Sequence, residues 1–271
     1  MPRYAASVQY DGSRFHGWQI LKTGLPTVQA AVEKALSIVA DHSVFVICAG
    51  RTDARVHGCD QIIHFDSSAV RSSRSWTCGA NANLPDEVAV NWVRPVSEDF
   101  HARFSALWRR YRYVIYNHPI RPAHLSKGVT WNYRPLDVER MKAAAEYLIG
   151  TNDFTSYRAV QCQAKNPVRE VTRLVITRHG SLIILDIQAN AFLHHMIRNI
   201  AGVLMSIGCG KRDPQWAREV LEARDRTRGG VTASPCGLYL VGVGYDKQFD
   251  LPGVELGPHF IAPYLKSIFQ S

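Results

Sequence analysis

Two hydrophobic periods alternate along the first hundred residues, and their order predicts the elements β-α-β-β-α-β. Apolar and polar positions alternate at residues 4–10 and 88–96, which is the period of a half-buried strand. Apolar residues spaced three and four apart predict a helix over residues 28–39, directly after Pro26-Thr27. The other predicted elements of this half are strands at residues 44–48 and 61–65 and a helix at residues 72–82.

The second half repeats this order. A strand dense in Arg and Tyr is predicted at residues 108–117, and a hairpin turns at His179-Gly180. The remaining elements are the hairpin strands at residues 171–178 and 182–189, helices at residues 136–148, 192–207 and 214–223, and a closing strand at residues 238–245. Two successive βαββαβ units predict an α+β fold of two ferredoxin-like halves, residues 1–100 and 101–271, whose mostly antiparallel sheets join around a central basic cleft.

Composition adds a preferred partner to this fold. The 271 residues are 46% hydrophobic and 20% charged, which is typical of a soluble globular protein with a sizeable core. The formal net charge is +9, and 24 of the 32 basic residues are Arg. Arg stacks on bases and binds phosphates through two parallel hydrogen bonds. Solubility alone would not select Arg over Lys, so the excess of Arg favours a nucleic acid as the partner. Two long basic loops, at residues 117–131 and 158–169, are candidates to bind the nucleic acid.

Metals, cofactors and membranes are not indicated. The six cysteines form no Cys-x-x-Cys pair, which argues against a zinc site or a disulfide scaffold. His194 and His195 are neighbours on a predicted helix, so we expect them to point apart and not to share a metal. No phosphate-binding or dinucleotide-binding glycine pattern is present, and no apolar run reaches membrane-spanning length. We interpret the chain as a cytoplasmic, cofactor-independent protein.

The richest chemistry lies in a short loop between two predicted strands. Arg51, Asp53, Arg55 and His57 occur within seven residues there. Rigidly anchored loops are where catalytic side chains are commonly placed. The alternative, which spacing leaves open, is a turn whose arginines are solvated.

Two further segments carry candidate residues. In the strand at residues 109–113, Arg109, Tyr111 and Tyr113 share one face, and Arg110 and Arg112 share the other. Tyrosines beside arginines suit a surface that stacks bases and holds phosphates. An amphipathic strand with one buried Tyr face remains the alternative. The apolar helix around residues 190–199 contains Arg198, which would need a carboxylate such as Asp53 if it were buried. Exposure of Arg198 is the open alternative.

Several motifs together resemble the TruA family of tRNA pseudouridine synthases, in the same order and over nearly the whole chain. They are YDGS at residues 10–13, GWQ at 17–19, GRTDA at 50–54, VH at 56–57, FHARF at 100–104 and HMIRNIAG at 195–202. The resemblance implies an isomerase that converts uridine to pseudouridine at positions 38, 39 and 40 of the tRNA anticodon stem-loop. It also implies a homodimer and no cofactor.

The resemblance also implies a role for five residues. Asp53 matches the essential aspartate, the nucleophile, and Arg51 a nucleic-acid-handling arginine of the same loop. Tyr111 matches the tyrosine that stacks on the target base, and Arg198 the basic partner of the aspartate. Leu238 matches an apolar residue beside the pocket.

The chain departs from the family pattern at two positions. Ile20 stands where a charged residue is common, and Arg55 stands where the family usually has Gly. Because a positive φ is costly for Arg, we predict a negative φ at Arg55 with its side chain directed away from Asp53.

One competing hypothesis belongs to another class. A non-catalytic RNA-binding or RNA-chaperone protein would also explain the charge and Tyr111. It gives Asp53 and Arg198 no role. Loss of RNA binding in Asp53→Ala would favour that hypothesis, and retained binding without product would favour the enzyme.

Overall fold

The structure is a computed structural model that describes residues 1–253 and 257–265. These residues divide into two compact units. Unit 1 contains residues 1–108 and, of the later chain, 239–253 and 257–260; unit 2 contains residues 109–238 and 261–265. The division differs from the predicted halves because the break falls at Trp108 and because the chain returns to unit 1 at Tyr239.

Unit 1 is built on an antiparallel sheet in the strand order β4-β1-β3. Its elements are β1 (Arg3–Tyr10), α1 (Val28–Ala40), β2 (Ile47–Cys48), β3 (His57–Asp66), α2 (Ser73–Asn81) and β4 (Val88–Val96). Two strands share the remaining edge of β3. The short β2 pairs there antiparallel, Ile47 opposite His64, and β10 (Leu238–Gly244) pairs parallel, Tyr239 opposite His57. The predicted element order of this half is confirmed.

The core of unit 1 lies on one face of this sheet. Alternate residues of β1, among them Tyr4 and Val8, pack with Phe65 of β3 against Leu36 of α1 and Trp76 of α2. The rings of Phe65 and Trp76 meet edge to face at 5.1 Å. This is the period-two burial that the sequence pattern predicts.

The other face of the same strands buries polar groups. Ser7 donates its hydroxyl to Asp60 Oδ1, and Asn91 Nδ2 donates to Ser7 Oγ at 2.8 Å. Asp60 is only 7% exposed, and burial raises its pKa to about 6. Ionising a buried carboxylate is costly, and the hydrogen bond from the Ser7 hydroxyl offsets only part of that cost.

Unit 2 is built on a sheet in the order β5-β9-β8-β7, with β6 parallel to β5. Its elements are β5 (Trp108–Asn117), β6 (Thr130–Asn132), α3 (Val138–Ala145), β7 (Gly150–Asp153), β8 (Val168–His179), β9 (Leu182–Ala189), α4 (Met196–Gly208), α5 (Trp216–Ala223) and α6 (Ala262–Leu265). The predicted hairpin is confirmed, with Gly180 at a φ of +58° in its turn.

Three expectations for the second half are wrong in detail. The strands β6 and β7 were not predicted, and the closing strand β10 pairs with β3 of unit 1. The long helix begins at Met196 rather than residue 192, because His195 has a left-handed φ of +61° and Met196 N–H donates to the carbonyl of Leu193. Among the described residues, no helix is both long and apolar enough to cross a membrane.

Candidate active site

The Asp53 loop is anchored first by the strand that follows it. Ala49 N–H donates to the carbonyl of Ile62 at 2.8 Å. The side-chain amide of Gln61 then bonds both backbone groups of Gly50, accepting from its N–H and donating to its carbonyl. Gln61 is fully buried, so the chain is fixed immediately before Arg51.

A second anchor comes from the loop after β1. Trp18 N–H donates to the carbonyl of Thr52 at 3.0 Å, and the hydroxyl groups of Tyr10 and Thr52 are 2.8 Å apart. Gly17 has a φ of +99°, and a Cβ there would lie 2.9 Å from the carbonyl oxygen of Thr52. The two loops touch backbone to backbone, which requires Gly at this position.

Asp53 itself begins a tight turn. Val56 N–H donates to the carbonyl of Asp53 at 3.2 Å, and Arg55, the third residue of the turn, has a φ of +66°. A positive φ at this position is the type II pattern, which favours Gly. The predicted negative φ at Arg55 is therefore wrong, although its side chain is exposed as expected. The Asp53 side chain is partly exposed.

His57 closes the loop on the buried side. Its Nδ1 lies 3.1 Å from Asp11 Oδ1, and this contact holds the pKa of Asp11 well below its usual range. Its ring stacks on that of Tyr239 at 4.6 Å. His57 is 3% exposed and lies on β3, so it supports the loop from the sheet.

Arg51 lies at the surface beside the end of β2. Burial raises the pKa of the Cys48 thiol to about 12, and the charges of Arg51 and Arg103 oppose that rise. The exposed Arg51 side chain is placed where a polyanion could meet it.

Tyr111 lies in unit 2, on the face of β5 that the sequence assigns to the tyrosines. Its ring meets that of Phe192 edge to face at 5.2 Å, and it is 7% exposed. Tyr113 on the same face is fully buried, and its hydroxyl donates to the carbonyl of Ser234 at 2.8 Å. The Tyr face is buried, as the amphipathic alternative required.

Arg110 and Arg112 do not form an exposed phosphate-binding face. Both point toward Asp186 of β9, which is fully buried; Arg110 Nε donates to Asp186 Oδ1 at 2.7 Å, and Arg112 Nε lies 3.7 Å from that oxygen. Arg173 of β8 contacts the other carboxylate oxygen at 3.2 Å. These arginines share a buried carboxylate, so their first role is structural.

Arg198 is in the first turn of α4 and is partly buried. Its Nε donates to the carbonyl of Ala233 at 2.9 Å, and Ala233 N–H donates back to the carbonyl of Arg198. This exchange orients the guanidinium within unit 2. Its pairing with Asp53 stays a prediction.

Leu238 is the first residue of β10 and is 5% exposed, and its role beside the pocket stays a prediction. Asp53 and Arg51 thus come together on one loop of unit 1, whereas Tyr111, Arg198 and Leu238 belong to unit 2.

His194 and His195 precede α4, and their rings lie 4.0 Å apart. The expectation that helical geometry turns them to different faces is wrong, because neither is in the helix.

Sequence reasoning from the residues alone missed Tyr10, Trp18, Gln61 and Thr52 as supports of the loop. Their contacts join positions that are distant in the chain, so no local spacing marks them. The available signal in the sequence was Gly17-Trp18, a glycine followed by a large aromatic residue in a predicted loop.

A sequence profile of the tRNA pseudouridine synthase family matches residues 6–105 and 144–246. The tRNA pseudouridine synthase A of Pseudomonas aeruginosa is 60% identical over 260 residues, covering 96% of this chain and 91% of that protein. Proteins of the same name from Coxiella burnetii and Pectobacterium atrosepticum are 55% and 56% identical, covering 96% of this chain and 100% and 92% of their own lengths.

The chain therefore belongs to the tRNA pseudouridine synthase family. The similarity to the TruA branch is confirmed, because the relatives that share its name align over nearly the whole chain. The protein is an isomerase that converts uridine to pseudouridine in tRNA.

Proposed function

We propose that the chain modifies positions 38, 39 and 40 of the anticodon stem-loop, with Asp53 as the essential carboxylate and without a cofactor. The observation that supports this most directly is the loop of unit 1. Asp53 is partly exposed, yet the residues on both sides of it are held by hydrogen bonds from β3 and from the loop after β1. A preorganised carboxylate of this kind is what nucleophilic catalysis requires.

The reaction breaks the N1–C1′ bond, rotates the uracil and joins C5 to C1′. The C5 proton leaves and N1 gains one, so the reaction is balanced without an oxidant or a reductant. An ionised Asp53 can attack C1′ or can take a proton from C2′ to assist cleavage. The base must first leave its stack, which costs a few kcal/mol.

The other residues bind the same nucleotide in this proposal. Tyr111 stacks on the uracil while it turns, and Arg198 keeps Asp53 ionised and aimed. Arg51 contacts the RNA backbone or fills the space that the flipped base leaves. Leu238 supplies an apolar contact. The partial burial of Arg198 and the exposure of Arg51 are consistent with these roles.

We further propose that two ferredoxin-like halves surround a basic cleft and that the protein is a homodimer in the cytoplasm. The strand order β4-β1-β3-β2 within unit 1 supports the ferredoxin-like assignment of that half. The net charge of +9 supports a basic RNA-binding surface.

The test uses anticodon arms that carry uridine at only one of the three positions. Pure protein without additives is expected to form pseudouridine at each, as read by mass mapping. Asp53→Asn should bind the arms nearly as well and form no product, whereas Asp86→Asn, which changes an exposed acid elsewhere on unit 1, should be fully active. Turnover by a contamination-free Asp53→Asn preparation would refute the assignment, and loss of binding in Asp53→Ala would favour the RNA-chaperone alternative.

A further inference from the structure

Three aromatic rings of unit 1 follow one another from the sheet to the surface. His64 of β3 is buried at 3% exposure, and its ring centroid lies 4.7 Å from that of His101. The ring of His101 stacks on Phe104 at 4.4 Å, with 29° between the planes. We call His64, His101 and Phe104 the ring column.

The ring column is fixed by hydrogen bonds to its own backbone. Ala102 N–H donates to His64 Nδ1 at 3.1 Å, and the N–H groups of Arg103 and Phe104 both donate to His101 Nδ1 at 3.2 Å. Ser105 Oγ accepts from His101 N–H at 3.0 Å. The turn that presents Phe104 is therefore rigid.

Both imidazoles are neutral at physiological pH. An Nδ1 that accepts a hydrogen bond carries no proton. Burial lowers the pKa of His64 to about 4 and also lowers the pKa of His101, with the charge of Arg3 adding to both shifts. The two imidazoles beneath Phe104 therefore carry no positive charge, and the cation beside its ring is Arg103.

The column ends in an exposed aromatic side chain next to a cation. Phe104 is 77% exposed, and the guanidinium carbon of Arg103 lies 5.5 Å from its ring centroid. Aromatic rings beside Arg are the surfaces on which unpaired bases stack.

The position of this surface favours RNA as the partner. Ile47 of β2 pairs with His64, and the strand leads through Cys48 directly into the Asp53 loop. Cys48 pairs in turn with Ile63, so the base of the ring column lies beside the strand that enters this loop. Only three residues separate Ile47 from Arg51, so an RNA bound at Arg51 is the occupant for which the ring column is placed.

We propose that Phe104 and Arg103, mounted on His101, form a stacking site for an unpaired nucleotide of the tRNA anticodon loop. A base that stacks on Phe104 extends the ring column by one ring. Arg103 contributes a cation–π contact and a positive charge that attracts phosphate. The inference rests on the proposed function, because it takes the anticodon arm as the RNA. It adds a binding site that is separate from the one for the target uridine.

The test measures the affinity of a labelled anticodon arm at one fixed salt concentration. Phe104→Ala and Phe104→Leu should weaken binding roughly 5- to 150-fold, the range for one lost base stack, and Phe104→Trp should restore it. Phe45→Ala is the matched control, because Phe45 is also 77% exposed on unit 1, and it should leave affinity unchanged. The exposure of Phe104 means that its variants should keep the wild-type melting temperature.

Single abasic substitutions along the loop identify the stacked nucleotide. At one position, the abasic substitution should weaken binding to the wild type but should not weaken binding to Phe104→Ala any further. Wild-type affinity in Phe104→Ala, or the absence of any such position, would overturn the proposal. If light scattering shows that Phe104→Ala separates a dimer, and binding recovers at concentrations that restore it, a second copy covers Phe104 and the proposal is wrong. Absence of pseudouridine in wild-type samples would instead count against the proposed function, since binding is read independently.

Discussion

The hydroxyl oxygens of Tyr10 and Thr52 are 2.8 Å apart, so the last residue of β1 is bonded to the residue directly before Asp53. Both side chains are buried, at 4% and 7% exposure. The carbonyl of Thr52 also accepts from Trp18 N–H. Two contacts on one residue thus set where the Asp53 backbone enters its turn.

Removing that contact should slow the chemical step more than it weakens binding. We expect Tyr10→Phe to reduce the single-turnover rate about tenfold, because a small misplacement of a reacting group is costly. The affinity for tRNA should be unchanged. Thr52→Val should have the same effect, and the double variant should be no slower than either single one. Tyr4→Phe, which removes a hydroxyl elsewhere on β1, is the control; additive losses in the double variant would contradict the shared contact.

The turn at Asp53 predicts that Arg55→Gly is stabilising. A left-handed φ costs a non-glycine residue about 1–2 kcal/mol, which Gly would not bear. The greater freedom of Gly in the unfolded chain offsets about 0.4–1 kcal/mol of this stabilisation. We expect a net increase of about 0.5–1 kcal/mol in the free energy of unfolding by denaturant titration. Ala54→Gly, in the same turn but without a positive φ, should destabilise instead. Equal effects of the two glycines would contradict the strain at Arg55. Loss of the exposed guanidinium should also weaken tRNA binding modestly without changing the chemical step.

Asp60 should make stability depend on pH in an unusual direction. Its pKa in the folded state, about 6, is above the unfolded value of 3.8, so its contribution is fully present below pH 3.8 and is lost as the pH rises through 6. Asp60→Asn keeps an acceptor for Ser7 and removes this loss. We expect it to raise the free energy of unfolding at pH 8 by about 2–3 kcal/mol and to have little effect below pH 4. A gain that is the same at both pH values would contradict the titration of Asp60, and Asp86→Asn serves as the exposed control.

Affinity for tRNA should fall steeply with salt. The net charge of +9 and the Arg excess imply several phosphate contacts, each of which contributes about 0.7–0.9 to the slope of log affinity against log salt. Arg51→Gln should lower that slope by about one contact. Phe104→Ala should lower affinity without changing the slope, because stacking releases no counterions. A flat plot for the wild type would show that its basic surface does not bind RNA.

Helices and strands were predictable where the hydrophobic period and the capping residues indicate the same element. The strand predicted at residues 88–96 is β4, and Ser72 caps α2 by accepting from Ser75 N–H as the predicted start implies. Backbone handedness was not predictable from that pattern. Arg55 and His195 both have a positive φ as the third residue of a turn, and the sign of φ leaves no trace in hydrophobic spacing.

Long-range partners account for the other differences. Alternation correctly places Arg110 and Arg112 on one face of β5, yet it cannot show that Asp186, 76 residues after Arg110, buries them. The residues themselves indicated Asp53 and Tyr111 as candidates, and the resemblance to the family added a role for each. The supports of the loop became visible only as contacts between β1, β3 and the segment between them. Spacing identifies side chains with suitable chemistry, and the fold decides which of them are covered.

Because β10 returns to unit 1, the order of synthesis separates the Asp53 loop from the last strand that supports it. The edge of β3 beside His57 gains its parallel neighbour only when residues 239–244 have left the ribosome, after all of the helices α1 to α5. Until then, β3 has an open edge beside His57, and His57 lacks the ring of Tyr239 on which it stacks. A nascent or prematurely terminated chain that ends before residue 239 therefore carries every residue of the GRTD motif but not the finished support of the loop. The Asp53 loop is thus synthesised early and receives its last support late.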